Sequence, residues 1–273
     1  MTSSSRTGSA ERGAGGARVE LRGVAVRYPK AATAAVHDVD LTIEAGEFAV
    51  LLGPSGCGKS TLLRTLNRLV EPTAGEVLID GVDARRRDAT ELRRGIGYVI
   101  QAVGLFPHYT VAENVGVVPQ LLGWERARID ARVDELLRLI RLDPARYRGR
   151  RPRELSGGEA QRVGVARALA AQPRVLLMDE PFAAVDAIVR ASLQEEIARV
   201  HRELGTTVVF VTHDVDEALR LADRIVVMNA GRVVQAAPPA TVLEQPADAF
   251  VRDLVGVDPE TRRLVLERPL IAR

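Results

Sequence analysis

The stretch Gly53-Pro-Ser-Gly-Cys-Gly-Lys59-Ser60 constrains this chain more than any other, because it joins an apolar strand to an amphipathic helix. Glu47–Leu52 reads as the strand, and Ser60–Leu69 as the helix with Leu62, Leu63, Leu66 and Leu69 on one side. Glycines in such a turn let backbone N–H groups curl around a β-phosphate, and the helix N-terminus adds positive potential. Gly53, Pro54, Ser55, Gly56, Cys57, Gly58, Lys59, Ser60 and Thr61 are therefore the candidate nucleotide cradle. Lys59 is expected to set a point charge on the β- and γ-phosphates, and the Ser60 hydroxyl to ligate Mg²⁺. Cys57 reads as a small space-filler whose alkylation would block nucleotide.

Two further constellations suit the same ligand. Val175-Leu-Leu-Met-Asp179-Glu180 is an apolar strand ending in two adjacent carboxylates. Ligands of a doubly wound sheet sit at the carboxyl ends of strands, which is where these acids fall. Asp179 is the natural partner of Mg²⁺, directly or through water, and Glu180 is placed to polarise an attacking water. A solvated acidic pair is the plainer reading, but it loses ground beside a phosphate loop. Leu155-Ser156-Gly157-Gly158-Glu159 opens a helix that Pro173 terminates. As a helix cap it needs no ligand; as a second anion site it implies a second use of the nucleotide.

The rest of the chain reads as an α/β protein. Residues 1–17 are too poor in apolar side chains to offset ordering entropy and are expected to be a disordered tail. From Val19 the pattern alternates, with Val24, Val26 and Tyr28 on one strand face. Val77–Ile79 with Asp80-Gly81 predicts a strand and tight turn, and Ile96–Ile100 a strand ending at Gln101. Residues 102–160 are helical in character, with an amphipathic helix over Arg126–Ile140. Val175–Met178 and Thr207–Thr212 are uninterrupted apolar strands flanking the helix Ile188–Leu204, which indicates a parallel sheet covered on both faces. Ile225–Met228, Asn229-Ala230-Gly231 and Val233–Gln235 predict a hairpin.

Charge and cysteine content narrow the function. Lys and Arg number 38 against 36 Asp and Glu, so the chain lacks the basic excess of a dedicated nucleic-acid binder. The single cysteine excludes a disulfide within the chain and fits a reducing compartment. The N-terminus shows no charged-then-apolar signal pattern. No apolar run approaches the roughly 20 residues that span a bilayer, so any crossing falls to another subunit.

Taken in order, Tyr28, the loop at 53–60, Gln101, Leu155–Glu159, Val175–Glu180, Asp186 and His213 resemble the motif series of ABC-transporter ATPases. The resemblance covers roughly residues 19–256, with the cassette expected over 18–256 and a tail over 257–273. It implies a P-loop NTPase: a RecA-like parallel core, an N-terminal antiparallel β subdomain and a helical subdomain inserted at about 102–165. It implies ATP and Mg²⁺ as ligands and two subunits packed head to tail, most simply as a homodimer. Tyr28 would stack on adenine, while Gln101 would sense Mg²⁺ and link to the insertion. Ser156, Gly157, Gly158 and Glu159 would close over the partner's nucleotide, and Asp186 would face the other subunit. Lys59, Glu180 and His213 would carry catalysis, His213 on the γ-phosphate; Ser60, Gln101 and Asp179 would serve the metal. Phe182-Ala-Ala-Val-Asp186 departs from many relatives, which have Ser or Gly in place of an Ala.

A closer resemblance is to importer ATPases for quaternary-amine osmoprotectants such as glycine betaine, choline, carnitine and proline betaine. Ile96–Gln101, Gly104–His108, Thr110–Asn114, Val118–Trp124, Arg162–Arg167 and Phe210–Asp214 carry it. It implies integral-membrane permease subunits, an extracytoplasmic substrate-binding protein and a place on the cytoplasmic face of the membrane, with no nucleic acid. An importer of another small solute is the alternative. ABC ATPases acting on DNA or ribosomes usually carry coiled-coil inserts, zinc-binding cysteines or two fused cassettes, none of which is seen here. Aromatics are 4% of the chain, yet Phe106, Tyr109 and Trp124 cluster with Leu105, Leu121 and Leu122. Phe106 and Tyr109 are the candidates for a groove that receives a helix of the membrane subunit, the others for core. The basic clusters Arg85–Arg87 and Arg148–Arg151 read as solvated faces. Fewer than about 35 residues follow Ala240, so the tandem regulatory domains of many osmoprotectant ATPases are not expected.

Overall fold

The computed structural model describes residues 15–101, 104–182 and 187–256. Alternating side chains build β1 (Val19–Val26) and β2 (Val36–Ile43), paired antiparallel. The alternation breaks at Gly23, where φ is +56° and the register slips, so Leu21 and Val24 both turn inward. Tyr28 lies past the end of β1 and stands exposed, so it does not extend the Val24–Val26 face as expected. Residues 15–17, expected in a disordered tail, are held instead. Arg174 donates to the Gly15 and Gly16 carbonyls, and Ala17 is buried.

β3 (Phe48–Leu52) is buried throughout and turns through the glycine loop into α1 (Lys59–Leu66). The helix is shorter than the expected Ser60–Leu69. Arg68 takes φ +55°, the N–H groups of Leu69 and Val70 both donate back to the Arg64 carbonyl, and Leu69 is left exposed. β4 (Ala74–Ile79) joins the far side of β1, and β5 (Val82–Asp83) follows the Asp80-Gly81 turn, giving the order β2-β1-β4-β5. α2 (Ala89–Arg94), capped by Asp88, leads into β6 (Ile96–Val99).

Between β6 and the next strand the described chain is helical. α3 (Val111–Leu121) starts at a capping box between Thr110 and Glu113, and α4 (Arg126–Leu139) covers the expected amphipathic stretch. α5 (Pro144–Tyr147) is one turn, and α6 (Gly157–Leu169) closes the group. Val133, Leu136 and Leu137 of α4 are buried in the same apolar cluster as Val111 and Val115 of α3 and Val163 of α6.

β7 (Val175–Asp179), α7 (Ala187–Leu204), β8 (Thr207–Thr212), α8 (Val215–Leu221), β9 (Arg224–Asn229) and β10 (Arg232–Ala237) complete a second sheet. Its order is β10-β9-β3-β8-β7-β6; β10 runs antiparallel and the other pairings are parallel. α9 (Pro239–Glu244) and α10 (Ala249–Val255) follow β10. β7 and β8 are buried at every residue, as uninterrupted apolar runs require. Alternate side chains of β3 serve two cores: Phe48, Val50 and Leu52 face the helical side, Ala49 and Leu51 the side shared with α1 and the antiparallel sheet. Each fully buried side chain of this size contributes about 1.5–3 kcal/mol. In register, Leu52 pairs with Thr212 and Asp179 with Val211. The glycine loop, Glu180 and His213 therefore leave the sheet at one edge.

Candidate nucleotide site

Tight approaches of backbone fix the loop after β3. Gly53 has φ +154° and Gly58 φ +104°; a Cβ would lie 2.2 Å from the Met228 carbonyl oxygen at the first and 2.4 Å from that of Ala35 at the second. Only glycine fits either place. The Gly231 N–H donates to the Cys57 carbonyl at 2.9 Å and clamps the loop to the β9–β10 hairpin. Lys59 is 4% exposed, its ammonium donating to the Gly53 carbonyl at 2.6 Å and that of Pro54 at 2.9 Å. Such a desolvated charge, met only by neutral acceptors, suits an anion in the loop. The Cys57 sulfur lies 3.9 Å from that ammonium and fills space as expected. The Tyr28 and Thr61 hydroxyls share a 3.2 Å hydrogen bond, which sets the phenol beside the start of α1.

Two oxygens meet at the end of β7. The Ser60 hydroxyl donates to Asp179 Oδ1 at 2.6 Å, and Asp179 is 3% exposed. Arg64 Nη2 holds Asp179 Oδ2 at 3.2 Å, and the Arg64 guanidinium also bonds Tyr98, whose phenol burial pushes its pKa up. A hydroxyl and a carboxylate side by side are hard donors of the kind Mg²⁺ takes along with phosphate and water, so the residues fit that ion.

Glu180 is held in the left-handed region at φ +45°, where its N–H donates to the Val211 carbonyl at 3.1 Å. A non-glycine residue there costs roughly 1–2 kcal/mol. Gln101 Nε2 donates to Glu180 Oε2 at 3.4 Å, and His213 Nδ1 lies 3.4 Å from the same oxygen. The structure thus brings Gln101, Glu180 and His213 together from three segments.

Ser156–Glu159 stands apart from these groups. The Ser156 hydroxyl accepts the Glu159 N–H at 3.3 Å, and Glu159 Oε2 accepts the Ser156 N–H at 2.7 Å. The Tyr147 hydroxyl donates to Glu159 Oε1 at 2.6 Å and is the largest influence holding that carboxyl below the usual range. The helix-cap geometry is fully formed. Ser156 and Gly157 remain exposed, with open space where a Gly157 Cβ would stand. Asp186 lies outside the described residues.

The aromatic stretch divides in two. Leu105 and Trp124 pack on the core, while Phe106 and Tyr109 are 47% and 43% exposed with ring centroids 5.2 Å apart; Leu121, expected in the core, is instead 57% exposed. Asn114, fully buried, accepts the Phe106 N–H at 2.8 Å and donates to the carbonyls of Phe106, Tyr109 and Thr110. Arg167 donates to the Gly104 carbonyl at 2.7 Å. Arg64 and Tyr147 were not singled out from sequence, and Tyr98 and Asn114 only as parts of longer stretches; each acts through a contact that no local pattern announces.

A phosphate loop and a strand-end acid pair on this sheet, with a capped Ser-Gly-Gly turn in the helical group, define a nucleotide-binding cassette. A family model described as ABC transporter matches residues 36–183, and the chain belongs to that family. It is 51% identical over 239 residues to the glycine betaine/carnitine/choline transport ATP-binding protein of Bacillus subtilis (strain 168), covering 88% of this chain and 62% of that protein. It is 55% identical over 222 residues to the glycine betaine uptake system ATP-binding protein of Escherichia coli (strain K12), covering 81% of this chain and 72% of that one. The chain thus spans about three-fifths of the length of the first and several like it. Among solved structures it resembles a dimeric ATP-binding cassette in a post-hydrolysis state bound to ADP and Pi, at a TM-score of 0.72 and 36% identity, covering 81% of this chain and 98% of that one. Among the described residues no helix is long and apolar enough to cross a membrane.

Proposed function

We propose that this chain is the ATP-binding and ATP-hydrolysing subunit of an ABC importer for a quaternary-amine osmoprotectant, working on the cytoplasmic face of the membrane. The observation that carries the enzymatic reading is the meeting of Gln101, Glu180 and His213 within 3.4 Å contacts beside the Lys59 loop. Lys59 leaves the Gly53 and Pro54 carbonyls to bind the β- and γ-phosphates. Ser60 and Asp179 would hold Mg²⁺, directly or through water, where its charge would offset that of the phosphates. Glu180 accepts a hydrogen bond from the attacking water and orients it, and His213 donates to an oxygen of the terminal phosphate. Tyr28 stacks on the adenine at the edge of the loop.

The Ser156–Glu159 turn and Asp186 act on a second subunit. With Ser156 and Gly157 exposed, the turn is available to cap a nucleotide seated in a partner's loop. Phe106 and Tyr109, held outward by Asn114, offer apolar surface to a helix of the membrane subunit. Similarity to the osmoprotectant ATP-binding proteins supports the substrate class, since the solute itself would be bound by other subunits.

Uptake of labelled glycine betaine into cells expressing the chain with its permease and binding protein tests this reading. Glu180→Gln is expected to abolish both uptake and Mg²⁺-dependent ATP hydrolysis while ATP binding persists. Steady hydrolysis by that variant would remove Glu180 from its role, and wild-type ATPase activity without uptake of any quaternary amine would remove the substrate class.

A further inference from the structure

A buried carboxylate lies beside the catalytic pair without a part in it. Glu217, in the first turn of α8, is 5% exposed. Its Oε2 accepts a 2.7 Å hydrogen bond from the Thr212 hydroxyl, whose oxygen in turn accepts the Asp214 N–H at 3.0 Å. The backbone is thereby pinned one residue before His213 and one residue after it. Asp214 accepts the N–H groups of Asp216 and Glu217 on Oδ1, and turns Oδ2 toward Arg190 Nη1 at 3.6 Å. Arg190, near the start of α7, also brings Nε to 3.9 Å from Glu217 Oε1. With Glu180 and His213 these residues line a cavity of about 70 Å³. That is room for roughly two waters next to the catalytic carboxylate, with polar groups to hold them.

The His213 side chain is 58% exposed, so its aim depends on the backbone that presents it more than on packing around the ring. We propose that Glu217 and Arg190 are positioning residues for hydrolysis: through Thr212 and Asp214 they fix the turn that sets His213 against Glu180. The proposal rests on the reading of Glu180 as the catalytic carboxylate. Displacing a reacting group by about 1 Å can cost on the order of 100-fold in rate, so a tie of this kind is read in turnover and not in affinity.

The network also has a direction in pH. Glu217 faces Thr212 and Asp214 from the β8–α8 turn and Arg190 and Gln194 from α7, with Glu180 and His213 across the cavity. Burial, the largest influence, pushes the Glu217 carboxyl above the usual range. Acid therefore neutralises Glu217 before an ordinary carboxylate and deprives Arg190 of a charge partner. Glu217→Gln mimics that neutral form at every pH.

Steady-state ATP hydrolysis by the full chain, across pH, tests the inference, with Glu180→Gln as the control. Glu217→Gln and Arg190→Ala are each expected to lower kcat about tenfold with KM for ATP changed less than about twofold. Arg190→Lys is expected to recover part of the loss, and the acid-side fall of wild-type kcat to flatten in Glu217→Gln. Thermal unfolding of each variant separates a positioning role from a folding defect; should Glu217→Gln fail to fold, Arg190→Ala, whose side chain is partly exposed, decides. Wild-type kcat in both variants, or an unchanged acid limb in Glu217→Gln, would overturn the inference alone. A wild-type chain that does not hydrolyse ATP would overturn the parent reading and this one with it.

Discussion

Lys59 is a buried ammonium facing neutral carbonyls, and it sits 3.9 Å from the sulfur of the chain's single cysteine. On the proposed reading, a group attached to Cys57 would crowd the space in which the Lys59 charge meets phosphate. N-ethylmaleimide is therefore expected to lower ATP affinity at least about 100-fold, roughly the loss of one or two charge-assisted hydrogen bonds. Prior MgATP is expected to protect the thiol, and Cys57→Ala to bind ATP within about twofold of wild type. Equilibrium binding of a fluorescent ATP analogue checks this; full binding by the alkylated protein would place the nucleotide elsewhere. The residues of this site were legible because each belongs to a short motif at a strand end: the glycines and Lys59 after β3, Asp179 and Glu180 after β7, His213 after β8. Arg64, which reaches Asp179 across 115 positions, was not, and neither was the Glu217–Arg190 tie. Pairings of that kind come from the way the sheet stacks its strands, and no local spacing encodes them.

At the scale of elements, the buried strands were the clearest in the sequence, since an apolar run such as Val175–Met178 between turn residues admits few readings. Helix ends were harder. The leucine spacing continues to Leu69, but backbone turning at Asn67 and Arg68 ends α1 three residues sooner. In β1 the alternation from Val19 runs through the Gly23 bulge, and Tyr28 falls outside the strand. α3 lies in the stretch read as helical but was not delimited there, with Pro119 inside it and Gly116 among its buried positions. The element that most needs its loop is this same α3, whose Asn114 makes four hydrogen bonds to residues 106–110. Asn114→Ala leaves those backbone groups without their partner and is expected to cost about 2–3 kcal/mol. For a chain of this size that lowers the unfolding midpoint by roughly 5–10 °C. ATP binding by the isolated chain is expected to persist, while docking to the membrane subunit weakens. Calorimetry and co-purification check the two halves; an unchanged midpoint would show that the loop is held by other means.

Over the whole molecule, the glycine loop and the Ser156–Glu159 turn are the two proposed anion-binding surfaces, on separate elements. The first is anchored by β3 and the β9–β10 hairpin, the second by the α4–α6 helices. The Ser156 turn is bonded to the start of its own helix and to Tyr147, and Ser156 and Gly157 are exposed. A second copy packed head to tail would give both surfaces one ligand. The central claim is that ATP is shared in this way, and the mass of the Glu180→Gln chain in solution with saturating MgATP tests it most directly. The account predicts a species of twice the 29.6 kDa of one chain, which reverts to monomer when Ser156→Arg is added although ATP still binds. A Glu180→Gln chain that stays monomeric with MgATP, even beside its membrane subunit, or a Ser156→Arg chain that still pairs, would contradict it.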